Sequence, residues 1–142
     1  MLEALDEKGT VIGYVDGKKY LDGKKKKAGS LEGNVFKDKH GDKTLKIEAN
    51  GEICMCEFEA EGDVTKPGTV KDGKIFGNIP AAGTLMYIID KENGRLMSAD
   101  GKVTKLSLRG KPDEIKRLTD QDYVGIAAGI LELFSYDEED EE

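Results

Sequence analysis

Residues 13–22 read GYVDGKKYLD and residues 29–38 read GSLEGNVFKD. Aligned, Gly13 matches Gly29, Val15 matches Leu31, Asp16 matches Glu32, Gly17 matches Gly33, Tyr20 matches Phe36 and Asp22 matches Asp38. The unit describes a strand, a tight turn, a return strand and the start of the next turn. An Asp-Gly or Glu-Gly pair is turn chemistry, because glycine and short acidic residues tolerate the left-handed backbone that tight hairpins demand. The apolar residue before the turn and the aromatic after it, Val15 with Tyr20 and Leu31 with Phe36, can then pair on one face. A lone hairpin is marginal in water, so a chain that repeats one must pack the copies together.

Looser copies follow. GTVKDGKIFGN, residues 68–78, offers Val70, Asp72-Gly73 and Phe76, with the turn moved by one residue. Ile47 and Ile53 flank Asn50-Gly51, and Asp100-Gly101 precedes Val103 and Leu106. Six Asp-Gly or Asn-Gly pairs, at residues 16, 22, 50, 72, 93 and 100, punctuate short alternating runs such as TVIGYV, TLKIEA, EICMCEF and TLMYIID. Each pair reads as a type I′ turn, with positive φ at both residues. The spacing predicts a mainly β fold of repeated antiparallel hairpins, β-flower or barrel-like in arrangement, with one C-terminal helix.

The stretch GTVIGYVDGKKYLDGKKKKAGSLEGNVFKD, residues 9–38, resembles the bacterial four-fold β-flower proteins, in which glycine–apolar–DGK–apolar–tyrosine–aspartate segments recur around a pseudo-symmetric axis. The likeness extends loosely to residues 68–77 and does not cover 43–67 or the chain after Lys111. It implies architecture. It brings no assigned activity and transfers no functional residue.

The C-terminal region has a different period. Pro112 suits a helix start, and Thr119 with Asp122 forms a capping-box pair. Tyr123, Ile126, Ala127, Ile130, Leu131 and Phe134 recur at three and four, widened by Val124 and Leu133, which predicts a largely buried helix over about 119–135. Such a helix either plugs the open face of the hairpins or joins two copies, with Tyr123, Ile126, Ile130 and Phe134 as the candidate oligomer face. One domain over 1–136 is expected, followed by a disordered acidic tail, DEEDEE, at 137–142.

That tail carries six of the negative charges behind the net charge of −7, so the body is close to neutral. MLEALDEKG lacks the basic and apolar regions of a secretory signal, and YVGIAAGILELF is too short to span a membrane. With Cys54 and Cys56 two apart in a strand and no disulfide framework, a soluble, cytoplasmic protein is expected.

Chemistry-bearing motifs are few. His40 is the lone histidine and sits in a turn, CMC is not a zinc motif, and no GxSxG is present. The cysteines read as small core residues. DKENG lacks calcium-loop spacing, and GKKKKAGS fails as a P-loop because Ala28 and Gly29 stand where glycine and lysine belong. No catalytic residue, metal site or cofactor is assigned. Lys24, Lys25, Lys26 and Lys27 form a candidate anion or partner patch, read as a strand with lysines on alternate faces and screened by the acidic tail. Nucleic-acid binding is disfavoured by the near-neutral body and the acidic tail. The expectation is a small non-catalytic binding or scaffold protein that meets a protein or anionic partner through its hairpin surface. The alternatives are a carboxylate-based hydrolase with a cleft at the repeat axis and a self-assembling structural protein.

Overall fold

A computed structural model describes residues 1–56, 68–77 and 83–133. Its strands are β1 (Leu2–Leu5), β2 (Val11–Asp16), β3 (Lys19–Asp22), β4 (Lys27–Glu32), β5 (Val35–Asp38), β6 (Lys43–Ile47), β7 (Glu52–Met55), β8 (Gly68–Lys71), β9 (Lys74–Gly77), β10 (Thr84–Asp90), β11 (Arg95–Ser98) and β12 (Thr104–Arg109). Helices α1 (Pro112–Lys116) and α2 (Asp120–Gly129) follow. Every strand pairs antiparallel with its sequence neighbours, and β1 also pairs with β12, so the sheet closes into a twelve-stranded barrel without free edges. Arg109 clasps that seam, its Nη2 lying 2.6 Å from Glu3 Oε1 on the facing strand.

The repeated sentence is a register. Val15 faces Tyr20, Leu31 faces Phe36 and Ile47 faces Ile53, all of them buried. In the third copy Val70 faces Ile75 instead of Phe76, because the loop is Asp72-Gly73 itself and the return strand starts at Lys74. The turns depart from the uniform type I′ expectation. Only Asp72-Gly73 has both residues at positive φ, +54° and +74°. At the first two copies the acidic residue ends the strand, and Gly17 (φ +65°) or Gly33 (φ +63°) opens a loop whose second residue is at negative φ, as type II′ requires.

At the opposite end a longer turn recurs at the same sixteen-residue interval. Asp6, Asp22 and Asp38 each use Oδ1 to accept two backbone N–H groups, from Lys8 and Thr10, Lys24 and Lys26, and His40 and Asp42, at 2.8–3.0 Å. The residue three positions on takes positive φ: Gly9, Lys25 and Gly41 at +84°, +67° and +84°. Asp6 and Asp22 titrate below the ordinary carboxylate range, chiefly through the N–H groups of Thr10 and Lys26.

A closed barrel widens with strand number, and eight strands are about the limit that wall side chains alone can fill. Twelve strands need something more, and α2 supplies it. Residues 122–127 are buried without a break, which means protein surrounds this part of the helix on every side. It packs against β3, β4 and β8, on different sides of the ring. Glycines admit it closely: a Cβ at Gly129 would come within 3.2 Å of Tyr20 Cβ, and one at Gly13 within 3.0 Å of Ile130. Tyr20 and Phe36 stack beside it with ring centroids 6.3 Å apart.

The expected capping box is present, with Thr119 Oγ1 accepting from the Asp122 N–H and Asp122 accepting from the Thr119 N–H. The helix is shorter than expected. Glu132 turns left-handed (φ +58°) and the Leu133 N–H returns to the Ala127 carbonyl, closing the C-terminus. Pro112 opens α1, a short helix at the start its proline suits. The cysteines also differ from expectation: Ile53 and Met55 take the inward positions of β7, leaving half-buried Cys54 and Cys56 on the outer face.

Candidate functional site

The chain direction gives the barrel two ends. The Gly17-Lys18 turn, the Asp72-Gly73 turn and the start of α2 share one; the Asp6, Asp22 and Asp38 turns share the other. The lysine run lies at the second end. Lys24, Lys25 and Lys26 form the β3–β4 turn and Lys27 begins β4, so the expected four-lysine strand with alternating faces is corrected to a turn tip. The reason is Asp22, whose carboxylate gathers the N–H groups of Lys24 and Lys26 and bends the chain. All four lysines are exposed. Lys25 carries a left-handed backbone and sets its ammonium 5.1 Å from the Tyr14 ring centroid, a cation–π distance.

The candidate oligomer face has another role within the fold. Tyr123 and Ile126 are fully buried inside the barrel, and Ile130 is half-buried against Gly13, so these side chains are enclosed by the chain's own strands. Phe134 and the acidic tail lie outside the described residues. The axis where a carboxylate cleft had been placed as an alternative is filled by α2. Asp122 is the one buried carboxylate among the described residues, and both its oxygens are engaged. Lys18 Nζ lies 2.5 Å from Oδ1, while the Thr119 N–H and Oγ1 reach Oδ2 at 2.8 and 3.1 Å.

Two buried hydroxyls, Tyr20 Oη beside the helix and Tyr123 Oη on it, find no hydrogen-bond partner among the described residues. Burial is the main cause of their raised pKa values, reinforced by Asp122 at Tyr20 and by Asp90 and then Asp122 at Tyr123, which is pushed up to about 12. Among the described residues, no three His, Cys, Asp or Glu side chains are grouped to hold a metal. His40 is exposed in the Asp38 turn, where its N–H donates to Asp38.

A pocket of about 230 Å³ opens at the helix end, lined by Leu2, Val15, Gly17, Lys18, Glu114, Arg117, Leu118 and Asp122. Sequence reasoning missed it because its walls come from both chain ends; Lys18 and Asp122 are 104 residues apart. The one available signal was the capping box, which foretold a buried helix start and nothing of what would face it.

No protein-family model matches this chain, and no curated protein and no solved structure matches it. No helix among the described residues is long and apolar enough to cross a membrane.

Proposed function

We propose that this chain is a small non-catalytic binding protein that engages an acidic protein segment through the Lys24–Lys27 turn. One observation carries the reading. Lys25 occupies the left-handed position that Gly9 and Gly41 fill in the sister turns. A non-glycine residue there costs roughly 1–2 kcal/mol. The contact with Tyr14 returns about 0.5–1 kcal/mol at an exposed site, so the net effect is unfavourable or neutral. Strain retained where glycine would serve is a mark of use elsewhere. Three exposed lysines on a turn braced by Asp22 form a preorganised cationic tip, which lowers the ordering cost of binding a carboxylate-rich chain.

The closed ring and the recurrence of the Asp6, Asp22 and Asp38 turn support kinship with the β-flower proteins as part of this proposal. A cytoplasmic location belongs to it as well, since two cysteines in the whole chain make no disulfide framework and suit a reducing compartment.

The test is fluorescence anisotropy with a labelled hexaglutamate peptide, run at low and physiological salt on the wild type and on K24Q/K25Q/K26Q. The wild type should bind in a salt-dependent way, and the triple variant should lose about tenfold or more while melting at a similar temperature. Equal binding by both proteins would sink the reading. So would tighter binding of a DNA duplex of equal charge, because the partner would then be a nucleic acid.

A further inference from the structure

We propose that the pocket at the helix end is a second binding site, for a small organic anion with an apolar body. It is independent of the lysine turn, which lies at the opposite end of the barrel. Three features fix the chemistry.

The first is the floor. Leu2 of β1 and Val15 of β2 are 3% and 2% exposed, and Leu118, in the link between α1 and α2, packs on the same core, so the deep part is apolar. The second is size. A dry apolar cavity of about 150 Å³ takes one benzene, so 230 Å³ fits a ligand of roughly nine heavy atoms. That is smaller than a drug-sized site and matches a short-chain or aryl carboxylate.

The third is the account of charge around the rim. Lys18 is closed onto Asp122 at 2.5 Å. Glu114 is 3.7 Å from the N-terminal ammonium of Met1. Arg117 alone has no ion pair or side-chain hydrogen bond among the described residues. Its guanidinium keeps its donors for a guest, and a planar fork suits a carboxylate in two parallel bonds. The Lys18–Asp122 pair serves the site differently. It ties the Gly17-Lys18 turn to the start of α2, so two walls of the pocket hold their spacing before any ligand arrives.

A set of three probes sharing one apolar body separates the terms: hexanoate, hexanol and hexylamine, each titrated into ¹⁵N-labelled full-length protein and followed by amide chemical shifts. Hexanoate should give saturable shifts at Leu2, Val15, Gly17, Lys18 and Leu118 in roughly the millimolar range. Hexanol should bind at least fivefold more weakly, and hexylamine weaker still. R117Q alters an exposed side chain and should fold normally; it should bring hexanoate down to the affinity of hexanol, leaving hexanol unchanged. Shifts scattered over the surface without saturation would overturn the site. Preference for hexylamine would overturn its anion selectivity by making Glu114 the recognition group. Full hexanoate affinity in R117Q would overturn the role of Arg117.

Discussion

Replacing Gly125 by alanine tests the central packing claim, that α2 lies inside the barrel against Tyr20. In an ordinary helix the change is favourable, by about 1 kcal/mol of intrinsic propensity. Here the new methyl would overlap Tyr20 Oη and sit 2.8 Å from the ring atoms Cε2 and Cζ. Tyr20 is fully buried and stacked on Phe36, and Phe36 in turn occupies the space over Gly29, where a Cβ would lie 2.5 Å from its ring. The ring has no empty side to move into. Overpacking of a closed core typically costs about 1–3 kcal/mol. With three contacts under 3 Å the upper part of that range applies, and the net loss is roughly 1–2 kcal/mol.

For a chain of this length that corresponds to a fall in Tm of about 3–6 °C by differential scanning calorimetry. Gly129→Ala is the control, since its nearest clash is a mild 3.2 Å with Tyr20 Cβ; it should hold or raise Tm. Tyr20→Phe removes the overlapping oxygen, which is also a buried hydroxyl with no partner among the described residues. It should be close to neutral alone and recover about half of the loss in the double variant. If Gly125→Ala melted at or above the wild type, α2 would not be packed on Tyr20, and the account of the filled barrel would fail.

Other outcomes follow from the same geometry. Gly51→Ala puts a methyl onto the Val70 carbonyl at φ +92°, in a turn whose own carbonyl accepts the Val70 N–H, and should cost about 3 kcal/mol or more in urea unfolding. Gly17→Ala, with nothing within 4 Å, should cost only the backbone term of roughly 1–2 kcal/mol; equal losses at both would discredit the Val70 contact. Stability should also fall in alkali. Tyr20 and Tyr123 have raised pKa values when folded, so the folded state holds their protons more tightly. Their contribution is intact below the unfolded value near 10 and declines as pH rises toward about 12, at roughly 1.4 kcal/mol per pH unit for each tyrosine. A flat urea midpoint between pH 9.5 and 11.5 would contradict this. Finally, Ile130 meets Gly13, the register partner of Asp22, so the chain leaves α2 beside the lysine turn. Deleting residues 137–142 should therefore raise hexaglutamate affinity severalfold, and unchanged affinity would show that the acidic segment does not screen the turn.

What the sequence disclosed and what it withheld divide along a physical line. Pairs set by a two-residue loop were legible: Val15 with Tyr20 and Leu31 with Phe36 follow from turn position and strand period alone. Turn type was harder, because Asp-Gly has more than one use. At Asp72-Gly73 the pair is the loop, at Asp16-Gly17 it straddles the strand end, and at Asp22-Gly23 it opens a longer turn governed by the aspartate side chain. That last distinction moved Lys24, Lys25 and Lys26 from a strand to a tip. The cysteines were misplaced for a related reason: inward and outward positions on β7 depend on where the strand begins, and a one-residue shift exchanges Ile53 and Met55 with Cys54 and Cys56. The pocket was beyond reach, because barrel closure alone brings Leu2 and Val15 to Arg117 and Asp122.

The same closure explains why the two ends differ in chemistry. A twelve-stranded ring must be filled, and the filling helix has to enter somewhere. At its entry the N-terminal turn of α2 brings a buried carboxylate, which Lys18 neutralises, and a 2.6 Å pair between Lys91 and Asp120 anchors the same turn from the β10–β11 side. Two ion pairs from separate hairpins thus fix the helix, and the pocket is the space left between that anchorage and β1. Among the described residues of the opposite end, the Asp6, Asp22 and Asp38 turns place no ion pair on α2. These sister turns close on their own aspartates, so their tips are free to vary without loosening the barrel. A lysine in a glycine's place is tolerated there because the strain stays within one turn.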